Sequence, residues 1–235
     1  MTSSTLLKAS LEAGKAFLRP PPPEQAEPMG AAPRVQPVMV PIRSIGPSHR
    51  ERISAHLLAL SAPDRYLRFG YAASDEQIGR YVEGLNFERD EIFGIYNRKL
   101  ELIAMAHLAF STNPDLKSGA EFGVSVLAKA RGRGYGSRLF DRAVMHARNE
   151  GVDMMFIHAL SENTAMLNIA RKAGARIERT GSESEAFLKL PSASIDSRMT
   201  EMVEEQMAQT DYHFKVQAKK FRDWLAVLQD LRRNT

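Results

Sequence analysis

The stretch Val124 to Phe140 reads Val-Ser-Val-Leu-Ala-Lys-Ala-Arg-Gly-Arg-Gly-Tyr-Gly-Ser-Arg-Leu-Phe. An apolar strand runs into a loop with Gly132, Gly134 and Gly136, and the loop opens into an amphipathic helix carrying Leu139, Phe140, Ala143, Val144 and Ala147. Glycines let backbone approach a ligand closely, and a first helical turn offers unpaired N–H groups and the positive end of its dipole. Such a junction can hold an anion, a phosphate above all, with Arg131 and Arg133 adding charge. The alternative is a tight strand-to-helix connection with its arginines in solvent.

Two familiar phosphate loops do not fit. The Walker loop ends in Gly-Lys-Ser/Thr, which is missing here. A dinucleotide fold wants Gly-x-Gly-x-x-Gly after the first strand, whereas this chain has Gly-x-Gly-x-Gly near its middle.

Outward from the loop, Ala120 to Leu127 is the strand that feeds it, and the helix runs from Gly136 to Glu150. Strand Met154 to Ala159 follows, then helix Asn163 to Lys172 with Gly174 as its C-cap, then strands Arg176 to Thr180 and Glu185 to Leu190. Upstream, Glu91 to Tyr96 and Leu100 to Phe110 are rich in Ile, Leu, Phe and Ala, which suits hairpin strands covered on both faces. Ser74 with Gln77 announces a helix over Asp75 to Gly84, and Ser48 to Leu60 carries an earlier helical stripe. Arg65 to Phe69 reads as irregular, and Val38 to Ile42 as a first, edge strand. A turn is expected at Asn113-Pro114-Asp115. The order β-α-α-β-β-β-α-β-α-β-β gives an α/β (α+β) mixed sheet with helices on both faces.

The domain expected over residues 38–190 is flanked by two extensions. Residues 1–37 form a flexible N-terminal segment with a Pro-rich linker that includes Pro20 to Pro23. Its start lacks the long apolar core of a secretory signal, and Glu12 argues against an organellar transit peptide. Over residues 191–235, Val203, Met207, Thr210, Phe214, Phe221, Leu225 and Leu228 repeat at steps of three and four. They predict a C-terminal amphipathic helix that packs on the core or against its copy in a homodimer.

With 43% hydrophobic and 26% charged residues, the 235-residue chain has a globular composition. No apolar run approaches a membrane span, so no membrane partner is expected. The absence of cysteine removes disulfides and thiolate chemistry and fits a cytoplasmic location. The six histidines show no ligand spacing, so no metal is expected. The net charge of +4 is spread along the chain without an aromatic platform, which argues against nucleic acid.

Residues 38–190 resemble the GNAT superfamily of N-acetyltransferases, with its central splayed sheet. Arg131-Gly132-Arg133-Gly134-Tyr135-Gly136 matches that family's acetyl-CoA loop, Arg/Gln-x-x-Gly-x-Gly/Ala. Asn163 to Ala175 has the shape of its downstream Asn-helix-Gly-Phe motif, with Ala175 where Phe is usual. The resemblance implies that backbone N–H groups of residues 131–137, through Ser137, hold the cofactor pyrophosphate. Backbone groups around Val126 and Leu127 would pair with the pantetheine arm as a short extra strand. Asn163 would contact the pantetheine or order the splay, and is also a plain N-cap.

Acetyl transfer needs a free amine, hence a base. Glu121, in Ala-Glu-Phe-Gly-Val, stands where many members carry a Glu, and partial burial would make such a carboxylate a stronger base; the alternative is a strand carboxylate in solvent or paired with a nearby Arg. The tyrosine that many members use as acid falls on Ala170, which leaves water, Ser161 or no acid at all. Ser125 and His107 lie on neighbouring strands, either facing the cleft or satisfied in the core. Leu60-Ser61 to Asp64-Arg65-Tyr66-Leu67-Arg68-Phe69 and the Ala-Glu-Phe strand are similar to the GNAT domains of bacterial protein-lysine acetyltransferases. Arg65, Tyr66 and Arg68 either line an acceptor cleft or anchor the loop. The acceptor implied is a primary amine, a protein lysine or a small molecule. The absent tyrosine keeps a second reading, an acyl-CoA-binding regulatory module with weak or no catalysis.

Overall fold

The computed structural model describes residues 40–112 and 118–233. The N-terminal segment and the turn at Asn113-Pro114-Asp115 lie outside the described residues. Among the described residues, seven strands form one sheet: β1 (Arg43–Ser44), β2 (Glu91–Tyr96), β3 (Leu102–Phe110), β4 (Gly119–Val126), β5 (Met154–Leu160), β6 (Arg176–Thr180) and β7 (Glu183–Lys189). Their order is β1-β2-β3-β4-β5-β7-β6, antiparallel everywhere except between β4 and β5. Among the described residues, six α-helices accompany it: α1 (Arg50–Leu58), α2 (Ala62–Phe69), α3 (Asp75–Glu83), α4 (Tyr135–Asn149), α5 (Thr164–Lys172) and α6 (Ile195–Arg233).

Strand alternation sorts the core into two layers. Phe93, Ala104, Ala106 and Phe122 face α4 and α5, where they meet Leu139, Phe140 and Leu167. The Phe122 and Phe140 rings pack edge to face at 5.1 Å, a favourable aromatic geometry. Ile92, Tyr96 and Met105 face α1 and α3 and pack with Ile53, Leu57, Ile78 and Val82.

Two expected elements differ. Of the strand expected over Val38 to Ile42, Val38 and Met39 lie outside the described residues, residues 40–42 are not strand, and the first strand described is Arg43–Ser44. Pro41 has no N–H for a ladder, so pairing with β2 starts beyond it. Arg65 to Phe69, expected as irregular, belongs to α2. Ser61 caps that helix by accepting from the Asp64 N–H, and Pro63 sits in the first turn, where its missing N–H has no helical partner to lose. Gly70, at φ +79°, ends it. The Ser74–Gln77 capping box is formed as expected.

The C-terminal helix is built the opposite way round from its apolar stripe. Val203, Met207, Phe214, Phe221 and Leu225 are exposed. What docks is a polar face. Arg142, buried on α4, pairs with Glu201 at 3.0 Å and Glu205 at 3.2 Å, and His146 bonds Glu201 at 2.6 Å. Burial disfavours the charged His146, but Glu201, Glu91 and Glu150 outweigh it and raise its pKa. Farther along, Arg43 donates to Gln209 and lies 3.9 Å over the Tyr212 ring, and Lys215 donates to the Tyr96 carbonyl. Among the described residues, no helix is long and apolar enough to cross a membrane.

Candidate active site

The parallel register between β4 and β5 runs from Gly119↔Met154 to Glu121↔Phe156 and stops. From Phe122 to Val126, β4 is paired with β3 alone. The two strands splay there and open a cleft of about 740 Å³, roofed by Leu67 and Arg68 of α2 and flanked by Asn163. Odd-numbered β4 residues, Glu121, Gly123 and Ser125, share the face opposite Phe122. One end of the cleft is therefore the glycine loop and the other is Glu121.

At the loop end, Gly132 and Gly134 adopt φ of +75° and +73°, a region that side chains with a Cβ avoid. Gly134 is the N-cap of α4 and supplies no side-chain bond, so the first-turn N–H groups keep no cap. A Cβ on Gly136 would stand 3.3 Å from Ile169 Cδ1, so its absence lets α4 and α5 close up. Arg131 bonds the Val126 carbonyl through Nε at 3.3 Å and pairs with Asp64 of α2. Burial pushes the Asp64 carboxyl up, but hydrogen bonds from Arg131 and Ser61 outweigh it and hold the pKa below its ordinary value. The loop is thus tied to the roof.

Val126, Arg131, Gly132, Gly134, Tyr135, Gly136, Ser137 and Asn163 all line the cleft. Two expected residues do not. Leu127 continues the β3 ladder, its N–H bonded to the Ile103 carbonyl at 3.0 Å, and its side chain is buried against α1 and α3. Arg133 projects from the loop into solvent. Asn163 serves both sides of the opening. Its Oδ1 accepts the Met166 N–H at 3.1 Å as the cap of α5, and its Nδ2 donates to the Leu67 carbonyl at 3.4 Å.

At the other end, Glu121 lies largely in solvent. Its side chain is 58% exposed, and His158 stands between it and Glu185, 3.3 Å from each. The reason is topological: Glu121 is the last β4 residue paired to β5, at the lip of the splay. His158 lines the cleft and gave no local signal in the sequence, because its partners come from β4 and β7.

Neither Ala170, at the position of the family's usual tyrosine, nor Ser161 lines the cleft. Ala170 is fully buried in the core. Ser161 bonds Gly181, Glu183 and Ser184 and is not part of the lining. Ser125 lines the cleft but donates to His56 Nε2 at 2.8 Å, while His56 Nδ1 donates to the Leu102 carbonyl at 2.9 Å. Burial, with the Arg68 charge nearby, pushes the His56 pKa down to about 4, although the Leu102 bond works the other way. His56 is therefore a neutral, satisfied core group, and so is the Ser125 hydroxyl.

The arginines of α2 divide. Arg65 is spent on Asp75 and the carbonyls of Leu58 and Leu60, and Tyr66 points outward. Arg68 reaches the cleft: a Cβ on Gly123 would fall 2.8 Å from its guanidinium carbon.

Among the described residues, no group of three His, Cys, Asp or Glu side chains converges as metal ligands would. No curated protein matches the chain. Solved structures do. The GNAT domain of S. lividans PAT superposes with a TM-score of 0.54 at 22% identity, covering 63% of this chain and 89% of that one. An N-acetyltransferase from Staphylococcus aureus Mu50 gives 0.51 at 17% identity, with 64% and 98% covered. A GNAT-family acetyltransferase from Streptococcus pneumoniae gives 0.52 at 12%, with 64% and 98% covered. These identities speak for the fold alone. Residues 57–175, from the end of α1 to the turn after α5 and including the glycine loop and Glu121, match the Acetyltransferase (GNAT) family, and the chain belongs to it.

Proposed function

We propose that the protein transfers the acetyl group of acetyl-CoA to a primary amine by direct attack in the cytoplasm. The observation that carries this reading is the splay itself. β4 ends its pairing with β5 at Glu121, presents a backbone edge from Phe122 to Val126 that β5 leaves unpaired, and leads through the glycine loop into uncapped helical N–H groups. The residues fit a coenzyme A thioester. The free edge suits an extended pantetheine arm, and the cradle at Gly132, Gly134 and Gly136 suits a pyrophosphate. Acetyl-CoA supplies the activated carbonyl.

Glu121 takes the proton of the acceptor ammonium, directly or through water. His158 and Glu185 lie behind it and give the proton a route to solvent along the lip of the cleft. Ala170 brings no acid and Ser161 lies outside the cleft lining, so water protonates the leaving thiolate. Thiol release from acetyl-CoA with a panel of amines and lysine-bearing proteins tests the reading. Glu121→Gln is expected to cut kcat/KM by about 10²–10⁴-fold while coenzyme binding stays intact. An unchanged rate rejects Glu121 as base. Tight coenzyme binding without turnover on any acceptor rejects the enzyme and leaves an acyl-CoA-binding regulatory module.

The exposed stripe of α6 is read as the seat of a second copy. Ile195 to Tyr212 holds five acids and one arginine, and His213 to Arg233 holds six bases and two acids. An antiparallel two-fold pairing of α6 with its copy sets each acidic half against a basic half.

A further inference from the structure

Among the described residues, Arg68 is a cation held in place without a counter-ion. Its Nη2 donates to the Tyr81 hydroxyl at 2.9 Å, and Tyr81 lies 2.8 Å from His107 Nδ1. His107 Nε2 lies 3.2 Å from Asp90, whose buried carboxylate is gripped by Arg89 at 2.7 and 2.8 Å and by the Phe110 N–H. The carboxylate at the far end sets every proton in the chain. His107 must carry its proton on Nε2, so Nδ1 accepts from Tyr81, and the Tyr81 oxygen accepts from Arg68.

The relay does not neutralise Arg68. Burial and the Arg68 charge itself hold the His107 pKa below its ordinary value, so the imidazole stays neutral. His56, also beside it, is neutral as well, and the Asp90 charge is taken up by Arg89. Among the described residues, no carboxylate lies within ion-pair distance of Arg68, although it is partly buried in the cleft wall between the Phe69 and Tyr81 rings. Removing a guanidinium from water without an anion is costly, and its planar fork matches a carboxylate in a bidentate pair.

Position tells which anion. Asp64 and Arg68 are four residues apart on α2, hence on one face and about 6 Å apart along the axis. Asp64 meets Arg131 of the glycine loop, while Arg68 meets Gly123, two residues from Glu121 on the same face of β4, about 7 Å along the strand. Arg68 therefore stands at the end of the cleft away from the phosphate cradle, beside the proposed base.

We infer that Arg68 is an acceptor-recognition residue that pairs with a carboxylate carried by the amine substrate, so that the acceptors are small amino acids or amino-acid derivatives. This rests on the acetyl-transfer reading for the amine and on the geometry of Arg68 for the carboxylate. Glu121 meets the ammonium end and Arg68 the carboxylate end. Tyr81 and His107 are positioning residues that aim the fork.

The test uses ω-amino acids from glycine to 6-aminohexanoate beside alkylamines of the same chain length. Binding to the coenzyme-saturated protein is followed by calorimetry and by the ¹⁵N resonance of Arg68 Nε. Thiol release is measured in parallel. Wild type should bind at least one amino acid about tenfold or more tightly than its matched amine and shift the Arg68 resonance. Arg68→Met should collapse that ratio toward one, and Arg68→Lys, which keeps charge without the fork, should retain an intermediate ratio. Circular dichroism checks that both variants fold. A wild type without preference for any carboxylate, or a preference that survives in Arg68→Met, overturns the inference. Preferential binding without turnover supports it and rejects acetyl transfer instead.

Discussion

Gly134 and Gly136 stand two residues apart in the loop and are glycine for different reasons, which alanine at each position separates. Gly134 sits at φ +73°, ψ 12°, with no atom within 4 Å of the place a methyl would occupy, so Gly134→Ala meets only the backbone cost of the left-handed region. That cost is about 1–2 kcal/mol, partly offset by about 0.4–1 kcal/mol from a less flexible unfolded chain. Gly136 has helical geometry. There alanine gains about 0.5–1 kcal/mol of helix propensity and must push Ile169 Cδ1, at 3.3 Å, by a few tenths of an ångström. Gly134→Ala should therefore lose about 1 kcal/mol and Gly136→Ala about nothing, a gap of about 2–4 °C in Tm for a domain of this size. Urea and thermal unfolding by circular dichroism measure the gap, and calorimetry measures coenzyme A binding. Gly134→Ala should bind more weakly, because alanine draws that turn away from the left-handed region, whereas Gly136→Ala, whose methyl meets Ile169 and whose position the family's loop fills with Gly or Ala, should bind about as wild type does. A Gly134→Ala protein that binds coenzyme A as well as wild type refutes the placing of the pyrophosphate, and one of unchanged stability refutes the backbone argument.

Acid should destabilise the fold through His56. Its folded pKa, about 4, is depressed below the ordinary 6.5, so its contribution is present above pH 6.5 and is lost as pH falls toward 4, about 3 kcal/mol in all. Urea unfolding between pH 7 and 4.5 should show a shallower pH slope in His56→Gln than in wild type, and equal slopes would remove His56 from the account. For α6, analytical ultracentrifugation should find a salt-sensitive dimer that Phe214→Glu with Phe221→Glu dissolves; a wild type that stays monomeric at high concentration rejects the antiparallel pairing.

The two ends of the cleft are written into the chain differently. The loop from Arg131 to Ser137 was legible because its shape lies in consecutive backbone: two left-handed glycines, an uncapped helix start and a feeding strand. The capping box at Ser74 and the apolar runs of β2 and β3 were legible for the same reason. The acceptor end was not. His158 meets Glu121 and Glu185 across neighbouring strands, and Arg68 depends on a relay through α3, β3 and the loop before β2. Arg65 and Arg68 look alike in sequence, and only the ion pair of Arg65 with Asp75 shows which of them is spent.

α6 carries the same lesson in energetic terms. A periodic apolar stripe locates the face that must be covered, but it does not say that the chain itself covers it. Here Arg142, Asn149 and His146 on α4 demand partners, because a buried guanidinium or amide left unpaired costs more than an exposed phenylalanine. Glu201, Glu205 and Ser197 meet that demand and turn the polar face inward. The apolar stripe then faces outward as a consequence. A large apolar stripe along a helix anchored by its polar side is the arrangement expected where a second molecule completes the burial. The buried polar groups of α4, a helix whose sequence announces only an amphipathic partner for the sheet, thus decide what the last helix offers to the outside.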